Sequence, residues 1–186
     1  MVRTDTIRLL LALPIQTDLY TAQYDVEMAY FNAPREEELY PKPPPAVSVT
    51  PGMVLRLRKT NYGLKESAQA WSEVLKGVLS LRGFRQAEAD LALYVNPEKG
   101  EFAAAHIDDI LFVSKQKSDF GEWLGSHFTF NDLGRPRYLL SIELDRSKSS
   151  VSLHQSAYLQ RIVSKFLASG FQLHQCPRGR GRPAGR

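Results

Sequence analysis

Polar and apolar residues alternate in several short stretches of the chain, as expected of strands with one buried face. Tyr24, Val26 and Met28 alternate with acidic residues, which predicts a strand over residues 23–28. Similar alternation or short apolar runs predict further strands at residues 54–58, 91–95, 138–144 and 151–154. Polar residues 146–150 separate the last two of these strands, which predicts a hairpin.

Helical spacing of apolar residues marks three further stretches. From Trp71 to Leu79 apolar residues recur every three or four positions, which predicts a helix over residues 66–82 with Gly83 as its left-handed cap. Helices are also predicted at residues 118–128 and 155–168. Strands and helices are thus mixed, with neighbouring hairpins rather than strict strand–helix–strand alternation. The pattern therefore predicts the α+β class, an antiparallel sheet with helices packed on one face.

The apolar run at residues 9–15 is interpreted as a buried helix, with Thr4 or Asp5 as its cap and Pro14 as its end. The run is far too short to span a bilayer. A signal peptide is disfavoured by Asp5 in the leader and by the lack of a small-x-small cleavage site. Cys176 is the only cysteine, which excludes an intrachain disulfide and fits a reducing compartment. We expect no membrane association and a location inside the cell, in the cytoplasm or the nucleus.

The distribution of charge separates the C terminus from the rest of the chain. The 186 residues include 24 Lys and Arg and 20 Asp and Glu, which gives a formal net charge of +4. The hydrophobic fraction of 43% excludes a wholly disordered or collagen-like chain. Residues 177–186 hold four arginines and no acid, so the other 20 basic residues balance the 20 acidic ones. The basic surplus that suggests a nucleic-acid partner therefore lies in the tail.

Two adjacent carboxylates, Asp108 and Asp109, lie between the largely apolar runs 102–107 and 110–113. If both runs are strands, the pair lies at the turn of a hairpin, where Asp-Asp is also ordinary turn chemistry. Neighbouring acids repel each other, and a divalent ion such as Mg²⁺ would compensate the charge. Asp25 lies in another apolar strand and could join the pair at one sheet edge. Three such carboxylates can hold two metal ions for attack on a phosphate.

An ordered series of motifs resembles the reverse transcriptase domain of copia-type retrotransposons over residues 3–171. In chain order, the blocks that carry the resemblance are Asp25-Val-Glu-Met-Ala-Tyr-Phe-Asn32, Val54 to Lys65 with Ala70-Trp71, Gly83-Phe84, Ala89-Asp90, Leu93-Tyr94, His106-Ile-Asp108-Asp109, Phe128 to Leu144, and Ser152 to Tyr158. The resemblance implies a reverse-transcriptase palm with part of the fingers in residues 1–171. Residues 172–186 would be a separate, disordered tail rich in Arg, Gly and Pro.

The resemblance also implies a role for individual residues. Asp25, Asp108 and Asp109 would hold two Mg²⁺ ions (or Mn²⁺), with the Val26 carbonyl as an auxiliary ligand. The other implied positions are Tyr30, which would exclude a ribose 2′-hydroxyl, and Tyr62, Gly63 and Lys65, which would border the template and the incoming nucleotide. Tyr30 could instead be a packed sheet tyrosine, and Trp71 is interpreted as core. The implied partners are an RNA or DNA template-primer, dNTPs, and the RNase H and integrase of a Pol polyprotein.

Several positions depart from the family pattern. His106 stands where the family has Tyr, and Ser141 stands where it has Gly. The second block differs at three positions, Glu66, Ala68 and Gln69, where Gln, Pro and Arg are usual. The family's upstream fingers and downstream RNase H are not present in the sequence, so we expect a truncated copy and leave its activity open. The alternatives are a non-catalytic nucleic-acid-binding remnant and a pseudogene fragment.

The C-terminal tail contains Arg180-Gly181-Arg182-Pro183, which resembles the core of an AT-hook. In that motif an extended Arg-Gly-Arg segment lies in a narrow minor groove, where the negative potential attracts guanidinium groups. The match is four residues long and lies beyond the reverse-transcriptase blocks. A shifted reading frame or a low-complexity end explains the same residues. These four residues are therefore a candidate DNA-binding site with a simpler competing explanation.

Overall fold

A computed structural model describes residues 2–17, 19–45, 47–147 and 150–167 of the chain. Its elements, in chain order, are α1 (Thr4–Thr17), β1 (Tyr20–Val26), a 3-10 helix (Ala29–Asn32), β2 (Pro34–Leu39), β3 (Leu57–Lys59), α2 (Ser67–Leu81), β4 (Arg85–Gln86), β5 (Leu93–Asn96), β6 (Glu101–His106), β7 (Asp109–Ser114), α3 (Phe120–Gly125), β8 (Phe130–Gly134), β9 (Tyr138–Leu139), β10 (Ile142–Arg146), β11 (Val151–His154) and α4 (Ser156–Leu167). The predicted mixture of helices and strands is confirmed.

The largest sheet has six strands in the order β4-β5-β6-β7-β1-β8. Every paired neighbour in this sheet is antiparallel, as predicted. A second sheet has the order β11-β10-β9, and β2 and β3 form a separate two-stranded ribbon. Since β1 lies between β7 and β8, a strand from the start of the chain lies beside two strands from its second half. This arrangement brings Asp25, near the end of β1, next to residues of β7 and β8.

One face of the six-stranded sheet packs against α2 and α3. Alternate residues of β1 and β7, such as Tyr24 and Phe112, are buried together with Leu75 of α2 and Phe120 of α3. Phe112 and Phe120 stack with their ring centroids 4.2 Å apart. The predicted helix over residues 66–82 and its glycine cap are confirmed, because Gly83 has a φ of 90°. Burial of this apolar face supplies the main driving force for the fold.

The other face of the sheet packs against α1 and the second sheet. Leu111 and Val113 of β7 are buried here with Leu10 and Leu11 of α1 and Leu144 of β10. Helices therefore cover both faces of the sheet. The prediction of helices on one face holds for α2 and α3 and is wrong for α1, because alternate residues of the central strands are apolar on both sides.

The N-terminal helix differs from its prediction at both ends. One face of the helix is buried, through Ile7, Leu10 and Leu11, while Leu9 is exposed, and the helix continues through Pro14 to Thr17. Proline removes the hydrogen bond of its own amide and its ring crowds the carbonyl four residues earlier, so packing of the buried helix face must offset this cost for the turns around Pro14 to persist. At the start of the helix, the Asp90 carboxylate accepts hydrogen bonds from the Arg3 amide, at 2.9 Å, and from the Thr6 hydroxyl, at 2.6 Å. An acid more than 80 residues away in sequence therefore caps a helix predicted to be capped by Thr4 or Asp5.

The strand predicted over residues 54–58 is shorter, Leu57–Lys59, and two further strand predictions need correction. The first strand runs from Tyr20 to Val26, and Met28 is exposed with a φ of 50° at the start of the 3-10 helix. The stretch predicted as one strand over residues 138–144 is two strands joined by a turn at Leu140 and Ser141, whose φ values are 50° and 65°. Both apolar patterns persist across turns, and periodicity alone does not reveal such turns. The predicted hairpin is confirmed for its two strands, because β10 and β11 pair antiparallel from Glu143 with His154 to Arg146 with Val151.

No helix in the described part of the chain is long and apolar enough to cross a membrane. The Arg180-Gly181-Arg182-Pro183 motif, Cys176 and the rest of residues 168–186 lie outside the described residues. The candidate tail site therefore stays a prediction.

Candidate functional site

Two of the predicted carboxylates face each other on neighbouring strands. Asp25 near the end of β1 is the Cα partner of Asp109 at the start of β7. Directly opposite residues of an antiparallel pair project from the same face. His106 and Asn131 continue this row, because β6 pairs His106 with Asp109 and β8 pairs Asn131 with Asp25. His106, Asp109, Asp25 and Asn131 thus form a row across one end of the sheet. The row lies on the face of the sheet that packs against α1 further along the strands.

The third carboxylate lies in the turn beside this row. Asp108 and Ile107 form the two-residue connection between β6 and β7, as predicted for the hairpin. The Asp108 carbonyl accepts a 2.8 Å hydrogen bond from the amide of Val26, which holds the turn against the end of β1. The Val26 side chain is buried in the core below. All three acids, together with Val26, therefore lie close together at one end of the central strands.

Backbone strain accompanies this turn. Ile107 has a φ of 58°, a conformation that is a clear outlier for a β-branched residue. The Trp71 indole donates a 2.6 Å hydrogen bond to the Ile107 carbonyl. Trp71 is 3% exposed, so its interpretation as a core residue is confirmed. It also has a second role that the helical pattern did not reveal, because it links α2 to the turn that carries Asp108.

Two amides hold the facing carboxylates and were missed by sequence reasoning. Gln23, two residues before Asp25 in β1, donates a 2.8 Å hydrogen bond from Nε2 to Oδ1 of Asp109. Asn131 donates from Nδ2 to Oδ2 of Asp25 at 3.3 Å. Gln23 is buried, and a polar residue in a strand with apolar residues was the signal that could have identified it.

Burial and like charge act together on Asp109. Burial raises the pKa of its carboxyl above the ordinary value, and the charges of Asp108 and Asp25 raise it further. The hydrogen bond from Gln23 and the neighbouring His106 oppose these effects without cancelling them. The three acids are thus close enough to repel one another. A bound cation would relieve this repulsion.

His106 occupies the position where the resembling family has tyrosine. It is the last residue of β6 and lies directly opposite Asp109. Its Nδ1 atom is buried and has no hydrogen-bond partner among the described residues. The imidazole therefore lies next to the carboxylate row with one buried nitrogen left unpaired.

An aromatic pair borders the third carboxylate. The Tyr62 hydroxyl lies 3.5 Å from Oδ2 of Asp108, at the outer limit of a hydrogen bond. The ring centroids of Tyr30 and Tyr62 are 4.6 Å apart. Tyr30 is 8% exposed and lies in the 3-10 helix, while its carbonyl accepts a hydrogen bond from the Thr60 hydroxyl. The structure therefore brings Tyr30 and Tyr62 to the site, and places Tyr30 in a helical turn instead of a strand.

The remaining predicted residues lie at the rim. Gly63 has a φ of 91°, and no atom of the described chain lies within 4 Å of a side chain built there. Lys65 is exposed, and its side chain makes no hydrogen bond or ion pair within the described residues. Glu66 forms an ion pair with Arg35, whose side chain is 5% exposed, beside a cavity of about 470 Å³ between β2 and α2. The Glu66 charge is therefore already compensated inside the chain.

The chemistry of the donors suits a hard divalent ion, although the chain does not build a complete cage. Carboxylate oxygens are the ligands that Mg²⁺ prefers, and this ion keeps positions for water and phosphate oxygens. Within the described ranges, no group of three or more His, Cys, Asp or Glu side chains is arranged to hold a metal ion by itself. The chemistry of Asp25, Asp108 and Asp109 thus suits such an ion, but their arrangement does not by itself form a metal site.

The chain is similar to proteins of known type along most of its length. A family model described as reverse transcriptase (RNA-dependent DNA polymerase) matches residues 1–178. The chain is 27% identical over 176 residues to the retrovirus-related Pol polyprotein from transposon TNT 1-94 of Nicotiana tabacum. It is 25% and 26% identical over 173 residues to the Pol polyproteins from transposons RE1 and RE2 of Arabidopsis thaliana.

These alignments cover 89% of the chain but only 12–13% of each relative. The chain thus spans a small part of the relatives that it matches. The family match extends past residue 171, where the resemblance seen in the sequence ends. No solved structure matches the chain significantly.

Proposed function

This chain belongs to the reverse transcriptase family, and on that premise we propose that it is the RNA-directed DNA polymerase domain of a copia-type retrotransposon Pol polyprotein. The observation that carries the proposal is the meeting of Asp25 with the Asp108–Asp109 turn at one end of β1 and β7. Carboxylates this close are costly to the fold without a cation, and they lie on one side of the aromatic pair Tyr30 and Tyr62.

In this proposal the six-stranded sheet with α2 and α3 is the palm. The β2–β3 ribbon and the loop between its strands are part of the fingers. Residues 1–171 form the polymerase unit, and residues 172–186 are a separate tail. The palm assignment is supported by the packing of α2 and α3 on a single face of the sheet, and the division at residue 171 rests on the extent of the sequence resemblance.

Asp25, Asp108 and Asp109 would hold two Mg²⁺ ions, for which Mn²⁺ could substitute, and the Val26 carbonyl would be an auxiliary ligand. When bound, the ions would activate a primer 3′-hydroxyl and stabilise the charge of the leaving pyrophosphate. The protein residues orient the ligands. Gln23 holds Asp109 by a hydrogen bond, which fixes the carboxylate before substrate arrives.

Trp71 and Tyr62 act on the turn from its two sides. The indole of Trp71 holds the Ile107 carbonyl, so the strained turn keeps Asp108 at the end of β1. The Tyr62 hydroxyl faces the Asp108 carboxylate as a donor, and burial and then the charge of Asp108 raise its pKa. A variant at Trp71 would therefore lose activity by displacing Asp108, without any contact to the substrate.

Three residues would contact the incoming nucleotide. Tyr30 would exclude a ribose 2′-hydroxyl and so favour deoxynucleotides, and Tyr62 supports its ring. Gly63 leaves open space beside its backbone, which would allow a nucleotide to approach closely. Lys65 is exposed and free to pair with a phosphate. The substrates in this proposal are a primed RNA or DNA template and dNTPs, and the partners in an intact element are the other parts of Pol.

A primer-extension assay on a primed RNA template tests this proposal. Asp108→Ala should abolish Mg²⁺-dependent dNTP incorporation. The matched control is Asp5→Asn, which removes an exposed carboxylate on α1 whose one ion pair among the described residues is with Arg8 at the surface. His106→Tyr restores the residue of the resembling family and should raise incorporation above that of the unaltered chain.

The outcomes separate chemistry from simple binding. Incorporation that survives Asp108→Ala, while Asp5→Asn behaves identically, would refute the carboxylate mechanism. If no variant incorporates nucleotide but the chain still binds the template-primer, deletion of residues 175–186 identifies whether the tail carries that binding. If deletion of the tail abolishes template-primer binding and Asp108→Ala does not change it, the result would instead support the non-catalytic alternative.

A further inference from the structure

A second charged site lies at the opposite end of the same strands. The start of β1 and the ends of β7 and β8 meet there, about 13 Å along β1 from Asp25. A cavity of about 460 Å³ opens between them. Its lining consists of Leu19, Tyr20, Thr21, Lys115, Gln116, Lys117 and Arg135. Three of these seven side chains are cationic, and none is acidic.

A fourth cation lies beside this cavity. The Leu144 amide bonds to the Arg137 carbonyl, and this pairing brings Arg146 of β10 opposite Arg135. The Nε and Nη2 atoms of Arg146 are buried without a hydrogen-bond partner in the described part of the chain. Burial lowers the pKa of Arg146, and the charge of Arg135 lowers it further, so the two guanidinium groups repel each other.

This arrangement contrasts with the other interior arginines. Arg35 pairs with Glu66, and Arg82 pairs with Glu101 and Asp119. By comparison, Arg135 and Arg146 have no carboxylate partner among the residues that the structure describes, and neither do Lys115 and Lys117. An unpaired, half-buried arginine is costly unless an anion satisfies it. An anion bound at this end of the strands would compensate the repulsion between the Arg135 and Arg146 guanidinium groups.

A buried hydroxyl supplies an independent observation. Thr21 lines the cavity and is 4% exposed, yet its Oγ1 atom has no hydrogen-bond partner within the described ranges. Buried hydroxyls are normally paired, so this one is available to a ligand after a small rearrangement. A tetrahedral anion offers several acceptor oxygens and can use guanidinium, ammonium and hydroxyl donors at once.

We propose that this end of the sheet binds a phosphate group. The residues that would form the site are Thr21, Lys115, Lys117, Arg135 and Arg146. The group is either a free phosphate or part of a nucleic-acid backbone, because both present the same oxygens. The site is separate from the carboxylate row, which would repel a free phosphate in the absence of metal. The proposal does not depend on polymerase activity.

The test uses the full chain in EDTA, so that no metal-dependent binding contributes. Thermal unfolding is followed while inorganic phosphate is added, with sodium chloride at matched ionic strength as the reference. Phosphate should raise the melting temperature and chloride should not. Arg135→Gln should weaken phosphate binding at least about fivefold, consistent with the loss of a charge-assisted hydrogen bond. Thr21→Val should weaken it by a smaller factor.

Arg85→Gln is the matched control, because it removes an exposed arginine in β4 at the other edge of the sheet. It should leave the phosphate-induced shift unchanged. Without phosphate, Arg135→Gln should melt at or above the temperature of the unaltered chain, because it removes the repulsion on Arg146. Equal shifts with phosphate and chloride, or a phosphate shift insensitive to Arg135→Gln, would overturn the proposal.

A parallel titration with a single-stranded oligoribonucleotide in EDTA identifies the source of the phosphate. If Arg135→Gln weakens binding of both probes and reduces the slope of log affinity against log salt by about one, the site binds a nucleic-acid backbone. If it weakens only inorganic phosphate binding, the site takes a small phosphate ligand. Either result supports the phosphate site, and neither depends on nucleotide incorporation.

Discussion

Asp25 and Asp109 lie directly opposite each other on β1 and β7, with a third acid, Asp108, in the adjoining turn. Like charges directly opposite in an antiparallel pair destabilise a sheet. Since Gln23 satisfies one oxygen of Asp109, the acids are held in place despite their repulsion. The fold therefore maintains a locally unfavourable arrangement at the proposed site of chemistry, as functional sites often do.

Asp109→Asn should stabilise the metal-free protein. The amide oxygen can still accept the hydrogen bond from Gln23, while the charge that opposes Asp25 is removed. We expect the free energy of unfolding to rise by about 0.5–1 kcal/mol, or a few degrees in melting temperature, in EDTA. Asp5→Asn serves as the control, because this acid is exposed and faces no other acid across a strand pair. A lower melting temperature for Asp109→Asn would contradict the repulsion.

The sequence predicted that Asp25, Asp108 and Asp109 lie close together, but it did not predict the residues that hold them in place. The apolar runs on both sides of Asp108 and Asp109 predicted the hairpin, since each run has the length of one strand. Their meeting with Asp25 is a contact between distant segments, so spacing alone could not establish it. The resemblance to a family supplied that contact, and the register of β1 and β7 agrees with it.

Other features depended on contacts that no local pattern encodes. Proline disfavours the interior of a helix in any sequence. Here the packing of α1 against the sheet stabilises the helix beyond Pro14. Asp90 was noted only as part of a motif of the resembling family, and it caps that helix. Gln23 lies on the face of β1 opposite Tyr24, and its partner, Asp109, is 86 residues away. In each case the deciding energy is tertiary.

The ion pair between Arg82 and Glu101 should be among the most sensitive polar contacts of the fold. Both side chains are 4% exposed, and Arg82 donates from Nε and Nη2 to the two Glu101 oxygens at 3.2 and 3.1 Å. Glu101→Gln leaves a buried guanidinium whose one remaining charged partner in the described ranges is the exposed Asp119. We expect a loss of about 3 kcal/mol in the free energy of unfolding, measured by urea denaturation.

A matched pair and a double variant test whether burial is the cause. Glu38 pairs with Arg56 at 3.0 Å, but both side chains are more than half exposed. Glu38→Gln should therefore cost less than about 1 kcal/mol. Replacing Arg82 by Met together with Glu101 by Leu should cost less than Glu101→Gln alone, because no charge remains buried. Equal losses for Glu101→Gln and Glu38→Gln would show that burial does not matter here.

Ser141→Gly should stabilise the second sheet. Leu140 and Ser141 join β9 to β10 with φ values of 50° and 65°, the left-handed pattern of a type I′ turn. Glycine adopts this conformation without the clash of a Cβ atom. It is also the residue that the resembling family has at this position. We expect a gain of about 0.5–1 kcal/mol after the entropy of the unfolded chain is included.

Ser48→Gly is the control for this prediction. Ser48 is exposed in the loop between β2 and β3, and its φ is not positive. Glycine there should only add freedom to the unfolded chain, so stability should fall slightly. If both variants shifted the urea midpoint in the same direction, the strain at Ser141 would not be the cause.

Asp90 should make stability depend on pH in the acid range. It is 7% exposed and accepts hydrogen bonds from the Arg3 amide, the Thr6 hydroxyl and the Ala92 amide. Burial acts to raise its pKa, but these hydrogen bonds outweigh burial and hold the pKa below the ordinary value. Because the folded state favours the ionised form, this stabilisation is present above the ordinary pKa of about 3.9 and is lost as pH falls through the folded value.

Asp90→Asn isolates this contribution. At pH 7 the variant should lose about 1–2 kcal/mol, because the charge at the start of α1 and its strongest hydrogen bonds are weakened. The difference in urea midpoint between the variant and the unaltered chain should shrink as the pH is lowered from 5 to 3, since Asp90 itself becomes protonated. A difference that stayed constant over this range would mean that Asp90 stabilises α1 by packing, with no contribution from its charge.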